Sequence, residues 1–192
     1  GEITGNKVTI SGRPVFKFND PDKNIKIYGG YVDRDGNVTG NSVEINGDMK
    51  FTEALEIYGG YGGTGAVTGN SVTISGGKMS EAVYGAYTEG SGAVTNNKVI
   101  ISGGMAEMSR EPVAGALSRG SGTVAYNSVT ATGGNFYAIF GGGSAEGIAE
   151  YNSVTVEGDT IIDGRVAGGL AMEGVARHNS VTISGTAEIK EG

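Results

Sequence analysis

Short runs of alternating apolar and polar residues recur along the whole chain, and glycine closes most of them. In the most regular run, an asparagine is followed two residues later by valine, four residues later by an aliphatic residue and six residues later by glycine. Alternation with a period of two is typical of a β-strand, and glycine marks the turn that ends it. The run occurs seven times, beginning at Asn6, Asn41, Asn70, Asn97, Asn127, Asn152 and Asn179.

Two further strand patterns lie between successive asparagines. One is clearest at residues 27–31 and 57–61, which both read Ile-Tyr-Gly-Gly-Tyr, and its later copies keep Ile or Val first and Gly third. The other starts with a glycine five residues before the next asparagine and usually continues with valine. Each repeat of 25 to 35 residues therefore holds three strands that are too short to bury a core unless repeats stack.

These patterns predict an all-β fold, a parallel β-helix solenoid of about six to seven coils with three short strands each. Like positions would stack about 4.8 Å apart along the axis, which gives a rod roughly 30 Å long. We treat residues 1–192 as one repeat domain. Because stacked repeats need polar caps and neither end carries one, we expect a segment of a longer array.

We assign the seven asparagines to a structural ladder. Asn70 falls between a strand that ends near Thr68 and one that starts at Ser71, where the chain must bend sharply. Asparagine tolerates the left-handed backbone better than most residues do, and stacked amides can hydrogen-bond from coil to coil. The pattern thus favours ladder residues over ligands of a bound group.

The repeat length varies at one place, after the glycine that ends the asparagine strand. The longest insertions are residues 13–26, 48–56 and 104–112. Insertions at one phase of a solenoid project from one side, and loops on a rigid scaffold often carry binding. We expect this side to be the contact surface, with simple tolerance of loop length as the alternative.

The Ile-Tyr-Gly-Gly-Tyr pattern contains a candidate ligand-contact strip. If Ile57 and Gly59 face inward, the residue between them faces outward, so that Tyr28, Tyr58 and Tyr84 stack across three coils. An exposed tyrosine strip could hold sugar rings or a protein partner. Alternatively, the stacked rings only stabilise the sheet through contacts with their neighbours.

Composition agrees with a turn-rich repeat and limits the partners. The chain has 37 glycines and 3 prolines, and 38% of its residues are hydrophobic, which argues against disorder. The net charge of −7 disfavours nucleic acid and anionic membranes, because both need a basic face. No apolar run is long enough to cross a bilayer, so we expect no membrane insertion in this segment.

We expect no metal site and no cofactor. The chain has no cysteine and one histidine, His178, which is too little for a zinc site or a Ser-His-Asp triad. Four residues match a calcium-loop spacing, but Val38 occupies the sixth position, where that loop needs glycine. A solvated acidic turn is the better interpretation of these four, which are Asp33, Asp35, Asn37 and Glu44.

We also predict that the chain is not an enzyme. Parallel β-helices include enzymes that degrade polysaccharides, and their catalysis requires carboxylates or basic groups that converge on one face. Here the outward position three residues after each asparagine is mostly threonine, and Asp159 and Asp163 have no matching partner. A polysaccharide-degrading enzyme therefore remains only an alternative, and no catalytic residue is assigned.

The repeat Ile-Tyr-Gly-Gly-Tyr, followed by Gly-x-Val-Thr-Gly-Asn-Ser-Val-Thr-Ile-Ser-Gly-Gly, resembles the passenger region of bacterial autotransporter-type surface proteins over nearly the whole chain. Asn-Ser-Val is also similar to the heads of trimeric adhesins, whose shorter repeat lacks the Ile-Tyr-Gly-Gly-Tyr element. The resemblance implies a right-handed parallel β-helix at the surface of a Gram-negative cell. It further implies an adhesin or scaffold that contacts surface glycans or proteins, with a polysaccharide-binding protein and a purely structural stalk as alternatives.

Overall fold

A computed structural model of the chain describes residues 1–17, 24–51, 55–79, 81–103, 105–106 and 111–190. These residues form 23 β-strands, which pair in parallel, and no helix. The strands stack as six complete coils and a partial seventh around three faces. The predicted all-β parallel solenoid is therefore confirmed.

Face 1 is formed by the strands that precede the asparagines. In four of its strands the inward residue is a valine, and Val67 lies between Val38 and Val94 of the neighbouring coils. All three are fully buried. The strands of this face, in stacking order, are β1 (Glu2–Thr4), β5 (Asn37–Thr39), β9 (Val67–Thr68), β13 (Val94–Thr95), β17 (Val124–Ala125), β19 (Ile148–Glu150) and β21 (Val175–Arg177).

Face 2 starts directly after each asparagine. Alternation puts the valine and the following aliphatic residue inward, and Val72 pairs with Val43 on one side and Val99 on the other. The strands of this face are β2 (Lys7–Ile10), β6 (Ser42–Ile45), β10 (Ser71–Ile74), β14 (Lys98–Ile101), the first part of β18 (Ser128–Ser144), the first part of β20 (Ser153–Ala171), and β22 (Ser180–Ile183).

Face 3 contains the Ile-Tyr-Gly-Gly-Tyr pattern. Its separate strands are β4 (Ile25–Tyr31), β8 (Leu55–Gly62), β12 (Val83–Thr88) and β16 (Val113–Ser118). In coils five and six the second and third strands are joined, because the short connections stay paired from β18 to β20 with two irregularities in register. These two coils keep the same three faces, and two of their strands run on without an interruption.

The main core lies between faces 2 and 3. Ile57 and Ile74 have no exposed surface, and the same holds for their counterparts Val83 and Ile101 in the next coil. Burying one such side chain stabilises the fold by about 1.5–3 kcal/mol. Because each coil contributes equivalent residues, the core continues along the axis without a break.

The paired glycines of face 3 let it approach the asparagine corner. A Cβ at Gly59 would lie 2.5 Å from the carbonyl oxygen of Gly85, and a Cβ at Gly60 would lie 2.6 Å from Cγ of Asn70. Neither distance leaves room for a side chain at these two positions. The first glycine is kept in all six coils, whereas Ala86 and Ala116 replace the second one in two of them.

The insertions add small stacked elements beside the solenoid. β3 (Val15–Phe16) pairs with β7 (Lys50–Phe51), and β11 (Lys78–Met79) pairs with β15 (Met105–Ala106), while β23 (Glu188–Ile189) pairs with β20. Residues 18–23, 52–54, 104 and 107–110 of the three predicted insertions lie outside the described residues. Within the described ranges, no helix is long and apolar enough to cross a membrane.

Candidate functional site

The asparagines form a continuous hydrogen-bond ladder inside the solenoid. In Asn70, the backbone N–H and the side-chain Nδ2 both donate to Oδ1 of Asn97, at 2.8 and 3.0 Å. The same Nδ2 also donates to the carbonyls of Val38 and Thr68, at 2.9 and 3.2 Å. The bonds between neighbouring asparagines repeat from Asn6 to Asn179. Since its donors and its acceptor are engaged within the ladder, Asn70 has no free group for a ligand.

The left-handed backbone at this corner belongs to the residue before each asparagine. The predicted role of the asparagines themselves in this conformation is wrong, because in every coil the positive φ falls one residue earlier. Glycine adopts this conformation without strain, whereas a residue with a side chain is strained in it. The corner residues are Gly5, Gly40, Gly69, Asn96, Tyr126, Tyr151 and His178, with φ between 53° and 67°.

Tyr28, Tyr58 and Tyr84 stack along face 3, and we call them the inner tyrosine row. Their ring centroids are 5.0 Å apart between Tyr28 and Tyr58, and 5.4 Å apart between Tyr58 and Tyr84. The expectation of an exposed strip is wrong for two of them, because Tyr58 is 4% and Tyr84 is 6% exposed. Ala82, in the connection before β12, packs against them and contributes to this burial.

A second tyrosine row covers the first one, and the sequence analysis missed it. This outer row consists of Tyr31, Tyr61 and Tyr87, with ring centroids 5.1 and 5.3 Å apart. Its rings contact the inner row edge-on, as where Tyr58 meets Tyr61 at 5.6 Å and an interplanar angle of 83°. The signal was present in the sequence, since the last tyrosine of Ile-Tyr-Gly-Gly-Tyr repeats at the same interval as the first.

A cleft of about 300 Å³ lies where the insertions meet the two rows. Four of its lining residues are the tyrosines Tyr58, Tyr61, Tyr84 and Tyr87. Among the described residues, four carboxylates and two cations also line it, so its wall is amphipathic and mixed in charge. These charged residues are Lys26, Glu56, Glu81, Glu89, Glu111 and Arg119.

Hydrogen bonds inside the cleft connect the tyrosines to the charged residues. The Tyr58 hydroxyl donates to Glu56, which also accepts from Asn24 at 2.8 Å and pairs with Lys26 at 3.2 Å. Arg119 Nε donates to the Tyr87 hydroxyl at 2.7 Å. These hydrogen bonds therefore fix the positions of the Tyr58 and Tyr87 hydroxyl groups.

The electrostatics of the cleft keep its phenols protonated and Glu56 ionised. Burial, followed by the nearby carboxylates Glu56 and Glu111, raises the pKa values of Tyr58 and Tyr84 above their ordinary value. Burial alone would also raise the pKa of Glu56. Hydrogen bonds from Asn24, Tyr58 and Lys26 outweigh it, so the Glu56 pKa lies below its ordinary value.

The residues that matched a calcium loop are engaged elsewhere. Asp33 accepts from the Tyr31 hydroxyl at 3.0 Å, and Asp35 accepts from Thr64 at 2.7 Å. Asn37 Oδ1 accepts from the backbone of Ala66, and Glu44 pairs with Lys7. Across the described residues, no group of three histidine, cysteine or acidic side chains could hold a metal ion.

Tyr126, Tyr151 and His178 form a third aromatic stack, which we call the aromatic ridge. Their centroids are 5.2 and 5.1 Å apart, with interplanar angles of 4° and 10°. Tyr126 is 59% and Tyr151 is 46% exposed, and His178 is exposed as well. The sequence analysis considered His178 only as a candidate for a zinc site or a catalytic triad, so this stack was also missed.

The ridge carries backbone strain that the first coils avoid. A left-handed residue other than glycine costs roughly 1–2 kcal/mol. The contact between two stacked aromatic rings stabilises the fold by about 0.5–1.5 kcal/mol. At the equivalent Gly5 and Gly40, nothing lies within 4 Å of a Cβ, so side chains are not needed at this corner to fill space.

The chain was compared with protein-family models, with curated protein sequences and with solved structures. None of the three comparisons gives a match. The resemblance to autotransporter passengers therefore rests on the repeat residues, and the part of it that the structure shows is the parallel β-solenoid.

Proposed function

We propose that this chain is a non-catalytic segment of a bacterial cell-surface protein, which acts as a scaffold or adhesin and binds its partner through the tyrosine-lined cleft. The observation that carries the proposal is the position of that cleft, at the side of the solenoid where the repeat length varies. Rigid scaffolds commonly bind through such loops. The partners we expect are surface glycans or proteins.

The cleft offers edges and polar groups more than open ring faces. Tyr58 is covered by Tyr28 and Tyr84 on its two sides, and Tyr61 is covered in the same way by Tyr31 and Tyr87. A ligand would meet phenol and carboxylate oxygens together with the cations Lys26 and Arg119. Hydrogen bonding to hydroxyl or amine groups is therefore the recognition that this wall supports best.

The state of Glu56 supports binding over catalysis. A general acid of a polysaccharide-degrading enzyme needs a carboxyl whose pKa is raised, so that it holds a proton near neutral pH. The pKa of Glu56 is lowered instead, and its carboxylate is engaged by Asn24, Lys26 and Tyr58. This arrangement fixes an acceptor in place.

The test measures how strongly the whole chain and a cleft variant are retained on columns of immobilised acidic or neutral oligosaccharides. Glu89→Gln combined with Arg119→Gln changes two exposed residues of the cleft wall. We expect retention to fall by more than about tenfold. The matched control is Lys7→Gln with Glu44→Gln, an ion pair on face 2 that should leave retention unchanged.

Each outcome separates the alternatives. Retention lost in the cleft variant alone supports the proposal. If the cleft variant and the control variant are retained equally, the binding site lies outside the cleft. Release of shortened oligosaccharides would indicate an enzyme. The chain would be a structural stalk if it binds none of the oligosaccharides and none of the surface proteins of bacterial and host cells.

A further inference from the structure

The aromatic ridge has no explanation in the packing of a single chain. Tyr126, Tyr151 and His178 adopt a left-handed backbone, while Gly40 and Gly69 occupy the same corner of other coils without strain. The three rings also remain exposed, so they add little to the core. Strained and exposed aromatic residues are a reason to look for a contact that a single chain does not contain.

The geometry of the stack limits what it can contact. Tyr151 lies between Tyr126 and His178 with near-parallel planes, so both of its faces are covered. What remains open along the ridge is a row of ring edges, two phenol hydroxyls and an imidazole. A ligand that needs a flat open ring face is therefore poorly matched to the middle of the ridge, whereas side chains arriving at the same interval are well matched to its edge.

A second copy of this chain would present side chains at that interval. The rings repeat every 5.1 to 5.2 Å, which is close to the stacking interval of the coils themselves. We propose that the aromatic ridge is a side-by-side contact between two copies of this chain, related by a two-fold axis that passes near Tyr151.

The ridge is chemically self-complementary under such an axis. In a two-fold contact the same surface is used by both partners, so the order of residues is reversed across it. The Tyr126 hydroxyl then meets the partner's His178, whose imidazole has both a donor and an acceptor nitrogen. This pairing occurs twice, and Tyr151 meets the partner's Tyr151 between them.

The charge around the ridge also suits a second copy. Two chains of net charge −7 repel each other, so they approach best where the local charge is balanced. The residues before the three rings are Ala125, Glu150 and Arg177, and the last two form an ion pair of 2.8 Å. The residues two positions after the rings are serines in all three coils.

Sedimentation velocity over a wide range of concentrations tests the proposal. The wild-type chain should shift from single chains to dimers as its concentration rises. A triple variant, Tyr126→Gly with Tyr151→Gly and His178→Gly, should raise the dissociation constant by more than about tenfold. Because glycine is already used at this corner in the first three coils, the variant should keep its fold, which its thermal unfolding checks.

Controls separate the ridge from other routes to association. Tyr137→Ser removes another tyrosine, 45% exposed, outside the ridge and should leave the dimer intact. A wild-type chain that stays single at every concentration would overturn the proposal. So would a glycine variant that still associates, which would indicate contact through the apolar residues exposed on the last coil, such as Ile183 at 47%. Neither result bears on the cleft, because the ridge and the cleft share no residue.

Discussion

The tyrosine rows and the aromatic ridge are both stacks of rings along the solenoid axis, with centroids 5.0 to 5.4 Å apart, yet their surroundings differ. The rows lie in the first three coils, on strands of face 3, beside the insertions. The ridge lies in the last three coils, at the left-handed corner between faces 1 and 2. Stacking alone therefore does not decide whether a ring is buried.

The difference shows what each stack contributes. In the rows, Tyr58 has rings on both sides, edge contacts from the outer row and a hydrogen bond to Glu56. In the ridge, Tyr151 is stacked on both faces but remains 46% exposed, and its backbone is strained. We infer that the rows stabilise the fold and shape a cleft, whereas the ridge serves contact with another molecule.

Alkaline pH should produce the largest effect, through the rows. Burial raises the pKa values of Tyr58, Tyr61 and Tyr84 above the ordinary value of about 10, so the folded chain holds protons that the unfolded chain releases. The stability that these tyrosines confer is fully present below about pH 10 and is lost as the pH rises further. Denaturant midpoints measured between neutral pH and about pH 11 should fall steeply at the alkaline end. A midpoint that stays constant across this range would contradict the buried environment of the rows.

Removing one ring from each stack compares the two directly. Tyr58→Ala should lower the free energy of unfolding by about 3–5 kcal/mol, because it leaves a cavity between two neighbouring rings. Tyr151→Ala should lower it by no more than about 1 kcal/mol, since the ring is half exposed. Urea unfolding of both variants measures the difference. Similar losses for the two would mean that the stacks are equally buried in solution.

The repeat residues predicted most of the fold. Alternation after Asn70 correctly placed Val72 and Ile74 inside, because a parallel stack buries the same face in every coil. The merged strands β18 and β20 were not predicted, because whether a short connection stays paired depends on its neighbour across the sheet. Local patterns report which face of a strand is inward, and they do not report where pairing continues.

The candidate site was predicted less well than the fold. The column of Tyr28, Tyr58 and Tyr84 was found, but its exposure was wrong, because burial comes from the outer row and from Ala82 in the connection before β12. The ridge was missed because its members are spread over three repeats as different residue types. All three directly precede a ladder asparagine, so their equivalence can be read from the repeat, but their exposure and their stacking cannot.

The hydroxyl of Tyr58 should have a measurable effect of its own. Tyr58→Phe keeps the ring stack but removes the donor to the ionised Glu56, which should lower the free energy of unfolding by about 1.5–3 kcal/mol. In a Glu56→Gln background the same change should have a smaller effect, because the charged acceptor is already gone. This double-mutant cycle, followed by urea unfolding, isolates the bond. Equal effects in both backgrounds would show that the hydroxyl is not engaged with Glu56.

The smallest effect concerns the strain of the ridge. Alanine at position 151 keeps the left-handed strain and loses the ring, whereas glycine loses the ring and relieves the strain at φ 53°. Tyr151→Gly should therefore be more stable than Tyr151→Ala by about 1 kcal/mol, although glycine normally destabilises a folded chain relative to alanine. As a control, Gly40→Ala at the equivalent corner should destabilise the chain by a similar amount. If the alanine variant proves the more stable of the two, the corner is not left-handed in solution. The exposed rings would then carry no strain that needs an explanation outside the single chain.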